Sequence, residues 1–381
     1  MSKPLAHARI PPSSDLIIEV ETQVPLEIHF GGPDRPPGYL RDVLAAHIAA
    51  VPAGGAIDWV TYYFRDMGLA EALVQAHRRG VKVTVTLEGK PRVPHANDKV
   101  ITLLSQPDGL GKALRIIRIP GIPAPVGKSW KPQLHEKLYC FSHPAPIAFV
   151  GSFNPSGNMP DENPEILREL GDQDRGHNVL VGLVDPMLVG RLTAHARCLH
   201  RMPPGLLYRF SSRANETICG KDATLYFWPR IYPHPVVQFL ANVRPRARVR
   251  VVASHIRAER AVEIMIALAR RGITVQVLAE STLRRVTAKV ERRFSAANVQ
   301  FSRFRDPQDL PMHLKFVLVE DGTRMFTIFG SFNWTQPSFW LNHEIAVISS
   351  NPGLFRAFAA RWEILKNEPN PKTVDSLKCP D

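Results

Sequence analysis

Hydrophobic and polar residues recur along the chain with two periods, and together they predict one structural unit twice. Leu69–Gly80 (LAEALVQAHRRG) has apolar residues at helical spacing and ends in glycine, and Val81–Leu87 (VKVTVTL) alternates as a strand does. The same order returns in Ala261–Gly272 and Ile273–Leu278, where Arg-Arg-Gly lies 192 residues after its first occurrence. The chain therefore contains an internal duplication.

Strand-like runs surround both copies. A strand precedes each helix, at Ile57–Phe64 and Arg248–Ala253, and the order strand, helix, strand predicts a βαβ unit with a right-handed crossover. Two further strands follow, and each half then closes with a strand and a helix. These elements are Leu134–Phe141, Ile147–Ser152, Asn178–Leu183 and 186–200 in the first half, and His313–Val319, Thr327–Ser331, Glu344–Ile348 and 352–367 in the second.

The fold class that follows is α/β, with two similar lobes, each a mostly parallel mixed sheet flanked by helices. The first lobe is expected at 1–205 and the second at 222–367, with a junction at 206–221, because the segment around Met202–Lys221 lacks periodicity and is rich in Pro, Gly, Ser and Arg. Residues 368–381 carry three prolines and few apolar residues, which predicts a loose tail.

Composition indicates the cellular environment in which we expect the protein to lie. Among 381 residues, 44% are hydrophobic, which suffices for two cores, and no apolar run approaches the ~18 residues of a membrane span. The N-terminus lacks the apolar segment of a signal peptide, so we expect a cytoplasmic protein with no transmembrane segment. Its four cysteines are free thiols in this interpretation, because they lack both C-x-x-C and zinc-finger spacing. They are Cys140, Cys198, Cys219 and Cys379.

Candidate chemistry lies in two matching motifs. Of fourteen histidines, two have lysine at the second following position, in His135-Glu-Lys137 and His313-Leu-Lys315. Side chains two residues apart on a strand face the same way, so each imidazole is expected to stand beside an ammonium.

The same tetrapeptide, Gly-Ser-Phe-Asn, follows both motifs. Its serine comes 17 residues after the first histidine and 18 after the second. Hydroxyl and amide groups donate hydrogen bonds, so these side chains are predicted to bind a substrate phosphate beside the imidazole and ammonium. The predicted phosphate ligands are Ser152, Asn154, Ser331 and Asn333.

Two facing sets of such groups supply what cleavage of a phosphodiester needs. One imidazole attacks phosphorus and the other protonates the leaving oxygen, then activates water or an alcohol. The lysines neutralise the phosphate oxygens, a role that a divalent metal fills in other enzymes. No carboxylate cluster accompanies the motifs, so we expect catalysis without metal or any other cofactor.

These motifs resemble those of the phospholipase D superfamily, whose signature is H-x-K-x4-D with a downstream G-S-x-N, present twice. The similarity extends from about residue 40 to about residue 365. It implies two phospholipase D-like lobes packed with pseudo-two-fold symmetry, the motifs at their interface and a covalent phosphohistidine intermediate. It also implies His135 as the nucleophile and His313 as the general acid and base, which the residues alone do not distinguish.

The sequence departs from the signature in places. Ser142 and Glu320 occupy the two aspartate positions, which in the family are mainly structural. A glutamate that orients a catalytic histidine is typical further on, and Glu344 fits it, whereas Asn178 stands at the equivalent place in the first half. A carboxylate near one histidine favours the imidazolium there, which we take as agreeing with His313 as the acid.

The superfamily includes phospholipid enzymes and nucleases, so the substrate must be argued from the site. We favour a phospholipase D or phosphatidyltransferase reaction on a phospholipid, because Trp334, Phe339 and Trp340 follow the second motif and suit a pocket mouth or a membrane interface. The alternatives are a metal-independent nuclease and an inactive phosphate-binding module. Six acidic residues within 155–177 argue weakly against a long polyanion.

The formal charge of +13 is concentrated in the second lobe. Between Arg244 and Arg305 there are fourteen Arg and one Lys against four Glu, a local net of +11. Part of this excess is predicted to form one basic ridge on a helix, which docks an anionic membrane or nucleic acid and allows peripheral membrane contact. A monomer suffices for both half-sites. The ridge residues are Arg284, Arg285, Lys289, Arg292 and Arg293.

Overall fold

The computed structural model describes residues 27–121, 131–156, 166, 170–202, 215–230 and 234–367. The expected tail at 368–381, including Cys379, lies outside the described residues, and so does most of the expected junction. The lobe boundaries at 205 and 222 therefore stay predictions. Among the described cysteines, Cys140, Cys198 and Cys219 are free thiols.

The first lobe contains a seven-stranded sheet. Its elements are β1 (Glu27–Phe30), α1 (Tyr39–Ala50), β2 (Ala56–Thr61), α2 (Met67–Arg78), β3 (Lys82–Glu88), α3 (Asp98–Leu104), a 3₁₀ turn (Gly111–Ala113), β4 (Leu114–Ile117), β5 (Leu138–Phe141), β6 (Ile147–Gly151), β7 (Val179–Leu183) and α4 (Pro186–His200). The strands are ordered β1-β7-β6-β5-β2-β3-β4.

The second lobe repeats this plan with eight strands. Its elements are β8 (Ile218–Cys219), β9 (Ala223–Trp228), α5 (Pro235–Ala241), β10 (Arg248–Ala253), α6 (Glu259–Arg270), β11 (Thr274–Glu280), α7 (Ala288–Ala296), β12 (Gln300–Phe304), β13 (Lys315–Asp321), β14 (Arg324–Gly330), α8 (Gln336–Trp340), β15 (Glu344–Ser349) and α9 (Pro352–Asn367). The strands are ordered β12-β11-β10-β13-β14-β15-β9-β8.

The duplicated helix–strand unit forms for local reasons. Helix α2 is capped by Asp66, whose carboxylate accepts the Leu69 N–H at 2.7 Å. It ends before Gly80, which adopts a φ of +90°, and Gly272 adopts a φ of +77° after α6. Glycine reaches this left-handed backbone without steric cost, so each Arg-Arg-Gly turns the chain from helix into strand.

The α/β fold with two mixed sheets confirms the expected fold class, but the expectation of mostly parallel pairing is wrong. Parallel pairs join only β2, β3 and β4 in one sheet and β10, β11 and β12 in the other, and the other neighbours are antiparallel. The physical reason lies in the hairpins. Residues 142–146 join β5 to β6, and residues 322–323 join β13 to β14, and such short connections cannot make a parallel crossover.

Three large clusters of buried apolar side chains form the cores of the two lobes. One covers a face of the first sheet with α1 to α3, and a second covers a face of the second sheet with α5 to α7. The third includes residues of both sheets together with α4 and α9, so the lobes share one core. No described helix has the length and apolar character needed to cross a membrane.

Candidate active site

The two motifs lie on short segments that pair with the opposite lobe. The backbone N–H of His135 donates to the His343 carbonyl at 2.9 Å, and the N–H of His313 donates to the His177 carbonyl at 2.9 Å. His135 lies just before β5, beside the segment that leads into β15 of the second lobe. His313 lies just before β13, beside the segment that leads into β7 of the first lobe. The lobes therefore exchange backbone contacts reciprocally at the motifs.

His135 is held by a carboxylate from the second lobe. Its Nδ1 lies 2.9 Å from Oε2 of Glu344, which is completely buried at the start of β15. The expectation that Glu344 serves His313 is wrong, because the crossed pairing of the lobes brings β15 to the first motif. Ser338 Oγ donates to the other carboxylate oxygen at 2.8 Å and Asn342 Nδ2 donates to it at 3.3 Å, so the carboxylate has one fixed orientation.

His313 is held by an amide from the first lobe. Its Nδ1 donates to Oδ1 of Asn178 at 3.0 Å and to the Ser152 carbonyl at 3.0 Å. The amide has a defined orientation, because its Nδ2 donates to Gln173. With Nδ1 of both histidines engaged, Nε2 of each ring is the nitrogen that can reach a ligand in the pocket.

The two motif serines orient these partners and do not face a substrate. Ser152 Oγ donates to Asn178 Oδ1 at 3.1 Å, and Ser331 Oγ donates to Glu344 Oε2. Each hydroxyl also accepts the N–H of the residue that follows the orienting residue, and neither serine is exposed. The prediction that Ser152 and Ser331 bind phosphate is therefore wrong, because both hydroxyls are already committed within the protein.

The motif lysines are buried beside the histidines. Lys137 Nζ donates to the His135 carbonyl at 2.7 Å, and Lys315 Nζ donates to the His313 carbonyl at 2.6 Å. Burial lowers the pKa of Lys137 to about 7. Burial and then the charge of Lys137 lower the pKa of Lys315 well below its ordinary value. The lowered pKa values mean that each lysine loses its proton more readily than an exposed lysine does, and an anion bound nearby would favour the charged forms.

The electrostatics of the two imidazoles differ. Burial lowers the pKa of His135 to about 4, although the Glu344 carboxylate acts in the opposite direction. Burial and the charges of Lys315 and Lys137 lower the pKa of His313 well below its ordinary value. Burial opposes ionisation of Glu344, but the charge of His135 and its hydrogen bond keep the pKa of that carboxyl low. Both imidazoles are therefore neutral near pH 7 before substrate binds.

A pocket of about 460 Å³ opens over both histidines. Asn154 and Asn333 line it, and Asn154 Oδ1 accepts the Tyr63 N–H at 3.3 Å. Their role as phosphate ligands stays a prediction. No aspartate or glutamate of the described residues lines this pocket. Its arginines are Arg65, Arg92, Arg257, Arg284 and Arg285.

Sequence reasoning missed most of this wall. Tyr62 and Tyr63 follow β2, and His255 follows β10, so these residues come directly after strands of the parallel part of each sheet. The carboxyl ends of parallel strands meet at one edge, where ligands bind, and this rule was the signal available. A second signal was the 192-residue offset, which relates Arg65 to Arg257.

The five residues proposed as one basic ridge do not all lie on one helix. Helix α7 begins only after Arg284 and Arg285, and both of these line the pocket. Arg293 forms ion pairs with two glutamates of α6. Lys289 and Arg292 stay exposed on α7. The prediction that Arg284 and Arg285 lie on this helix is therefore wrong, because Thr287 caps the helix and both arginines precede it.

The aromatic residues after the second motif pack inward. Trp334 is 3% exposed and Phe339 is 1% exposed, and both belong to the core of the second lobe with Trp228. The same segment lines the pocket through Thr335 and polar residues of α8 instead. An aromatic pocket mouth at Trp334 and Phe339 is therefore ruled out by their burial.

The residues at the aspartate positions have structural partners. Ser142 Oγ accepts the Ala56 N–H at 2.7 Å, which joins β5 to the start of β2. Glu320 pairs with Arg248 and Arg250 across β10 and β13. Most of the acidic residues expected in the loop after the first motif lie outside the described residues: Asp161, Glu162, Glu165 and Glu169.

Comparison with protein families agrees with this geometry. The family described as "Cardiolipin synthase, PLD-like domain" matches residues 52–177 and residues 239–365, one segment in each lobe and each with one histidine motif. The chain belongs to this phospholipase D-like family. Its lobes thus have the fold of phosphodiester-processing enzymes.

Solved structures show the same fold at low identity. Polyphosphate kinase from Porphyromonas gingivalis matches with a TM-score of 0.58 and 14% identity, over 90% of this chain and 51% of that chain. Phosphatidylserine synthase from Haemophilus influenzae Rd KW20 matches with a TM-score of 0.57 and 11% identity, over 90% and 86%.

These identities show a shared fold alone. The chain spans about half the length of the polyphosphate kinase that it matches. Comparison with curated proteins gives no match.

Proposed function

We propose that this protein cleaves or transfers a phosphodiester through a covalent phosphohistidine on His135, without a metal ion. The observation that carries the proposal is the placement of two histidines at one pocket, each with Nδ1 bound from the opposite lobe. Nε2 of His135 attacks phosphorus, and the bond from phosphorus to the leaving oxygen breaks. Nε2 of His313 gives its proton to that oxygen.

The second half of the reaction returns the enzyme to its starting state. His313, now neutral, takes a proton from water or an alcohol, whose oxygen attacks phosphorus. The bond between nitrogen and phosphorus breaks, and the product phosphate leaves. Lys137 and Lys315 stabilise the charge on the non-bridging oxygens throughout, and Asn154 and Asn333 donate to the same oxygens.

The difference between the Nδ1 partners supports this assignment of roles. Attack by Nε2 leaves a positive charge on the ring of His135, and the Glu344 carboxylate compensates that charge. An amide oxygen offers His313 no such compensation, so a protonated His313 releases its proton readily. The negative charge of the bound substrate favours protonation of His313, so that this ring carries its proton before His135 attacks phosphorus.

Two substrate classes remain candidates. A phospholipid headgroup is favoured by the family description, which names cardiolipin synthase. A nucleic acid strand is favoured by the five arginines of the pocket wall and by the burial of Trp334 and Phe339, which removes the strongest sequence argument for an acyl chain. We place the nucleic acid strand first, because the pocket wall is the more direct observation.

The test incubates the purified protein in EDTA with single-stranded DNA, with mixed phospholipid vesicles and with bis(4-nitrophenyl) phosphate. Hydrolysis of the nitrophenyl diester together with either natural substrate supports the proposal and selects the class. Activity that EDTA abolishes and a divalent metal restores refutes the metal-free reaction. A protein that binds phosphate and turns over none of the three is the inactive phosphate-binding module.

A further inference from the structure

The pocket wall is built twice by the duplication. The offset of 192 residues that relates the two Arg-Arg-Gly turns also relates Arg65 to Arg257 and Arg92 to Arg284. All four arginines line the pocket, one pair after β2 and β10 and the other after β3 and β11. Up to this point the two walls are alike.

The two walls differ at the neighbouring positions. Val93 of the first lobe corresponds to Arg285 of the second, and Tyr63 corresponds to His255. In the first lobe, Tyr62, Tyr63 and Val93 belong to one small apolar cluster. The first-lobe wall is therefore aromatic and apolar beside its arginines, whereas the second-lobe wall is cationic.

Arg285 is the buried arginine of the cationic wall. It is 8% exposed, and its Nε lies 3.7 Å from the Glu280 carboxylate. Its charge is one of the causes that lower the pKa of His313 and of Lys315, after burial and the neighbouring lysines. Arg285 is therefore close to the second half-site, at a position where the first half-site has only Val93.

The charge of the pocket exceeds what one diester needs. A phosphodiester carries a single negative charge, and Lys137 and Lys315 are already proposed to stabilise it. Arginine side chains bind phosphate oxygens with paired N–H groups, and a wall of several arginines matches further negative charge. No described acidic side chain lines the pocket itself, and Glu280 lies 3.7 Å from Arg285.

We propose that the second-lobe wall, formed by His255, Arg257, Arg284 and Arg285, binds a second phosphate group of the substrate, one that is not attacked. The scissile phosphate lies between His135 and His313. The first-lobe wall, with Tyr62, Tyr63 and Val93, contacts an uncharged part of the same molecule. This inference rests on the proposed phosphodiester reaction and narrows its substrate to a diester that carries an additional phosphate.

Binding tests the second site without turnover. Calorimetric titration compares thymidine 3′,5′-bisphosphate with thymidine 5′-phosphate, which differ by one phosphate. The bisphosphate is expected to bind at least about tenfold more tightly, equivalent to about 1.4 kcal/mol. Arg285→Val, which installs the residue of the first lobe, should remove most of this difference, and Arg285→Lys should retain part of it. Equal affinities for the two ligands in the unmodified protein overturn the proposal.

Two further variants distinguish loss of the phosphate site from misfolding of the Arg285 variants. Arg284→Ser changes an exposed pocket residue and should also reduce the tenfold preference. Lys289→Ala is the matched control, because Lys289 is an exposed cation of the same region that does not line the pocket, and the preference should not change. A preference that survives both arginine substitutions, or that the lysine substitution removes as well, contradicts a site at this wall.

Turnover then identifies the source of the second phosphate. One substrate pair is thymidine 5′-(4-nitrophenyl phosphate) with and without a 3′-phosphate, and the other is phosphatidylglycerol with and without a phosphate on its headgroup. An Arg285-dependent rise in kcat/KM in the nucleotide pair assigns a nucleic acid, and the same rise in the lipid pair assigns a phospholipid. If bis(4-nitrophenyl) phosphate is hydrolysed and neither pair shows a rise, the second site is wrong and the phosphodiester reaction stands.

Discussion

The two half-sites place the same residues on the same scaffold and differ in what holds the histidine. His135 has the buried carboxylate of Glu344 at its Nδ1, and His313 has the amide oxygen of Asn178. The serine before each partner plays the same part, since its hydroxyl donates to that partner in both lobes. The two half-sites thus share one framework, and the carboxylate in place of an amide changes the electrostatics at the histidine.

In the proposed mechanism, this difference gives unequal roles to equivalent histidines. A carboxylate stabilises a ring that acquires positive charge, as a phosphohistidine does, whereas a neutral amide fixes the ring without stabilising the charge. The crossed arrangement also makes each half-site depend on the other lobe. Neither lobe alone contains a histidine together with the group that orients it.

Removing either histidine should have the largest effect, and the effect should depend on the leaving group. With a natural alcohol as leaving group, His135→Asn and His313→Asn should each lower kcat by about 10⁴-fold or more. With bis(4-nitrophenyl) phosphate, whose phenolate leaves without a proton, His313→Asn should still release one equivalent of nitrophenol per site. Stopped-flow absorbance measures this burst, and His135→Asn should show none.

Replacing the residues that bind Nδ1 of the two histidines should have the next largest effect on kcat. Glu344→Gln keeps the hydrogen bond but removes the charge at His135, so kcat should fall by about 10² to 10⁴-fold. Asn178→Ala removes only a neutral acceptor from His313, and the fall should be about tenfold. Steady-state rates measure both, with circular dichroism as the folding control. Equal losses in the two variants would mean that the carboxylate has no special role.

The sequence predicted the framework better than the contacts. The duplication, the paired histidine and lysine motifs, and the α/β lobes follow from patterns that neighbouring residues carry. Glu344 was assigned to His313 because a glutamate typically follows the motif in the same half of the chain, yet its contact is with His135, 209 residues away. Sequence distance contains no information about which lobe supplies a group at an interface between lobes.

Other side chains were misassigned for a similar reason. Ser152 and Ser331 have donors that suit a phosphate, but a nearer acceptor inside the protein already binds them. Arg285 was placed on a helix face, whereas the cap at Thr287 starts the helix after it and leaves it in the pocket wall. The chemical type of each site residue was predictable from the sequence, whereas the direction in which its side chain points depends on packing.

The pH dependence of stability should be smaller but measurable. The folded-state pKa of His135 is about 4, against 6.5 for the unfolded chain, so between these values the unfolded chain binds a proton that the folded protein does not. The free energy of unfolding should therefore decrease as pH falls from 6.5 to 4, by roughly 1 kcal/mol per pH unit from this group. Urea denaturation at several pH values should show a shallower slope for His135→Asn, and parallel slopes would contradict the lowered pKa.

The smallest expected effect concerns the surface cations outside the pocket. Lys289→Ala and Arg292→Ala remove exposed charges from α7, and each should weaken binding to DNA or anionic vesicles by no more than about threefold. Binding measured at two salt concentrations separates this effect from loss at the pocket. A loss as large as that of Arg285→Val would restore the basic ridge as the main docking surface.

The most direct test of the proposed mechanism is mass spectrometry of His313→Asn quenched during the burst with bis(4-nitrophenyl) phosphate in EDTA. The first step needs no acid with this substrate, and the second step lacks its base, so the intermediate should accumulate. The proposed mechanism predicts a phosphoryl adduct on His135 in an amount equal to the nitrophenol released. Nitrophenol release without an adduct on His135, or an adduct on His313 in the His135→Asn variant, would contradict it.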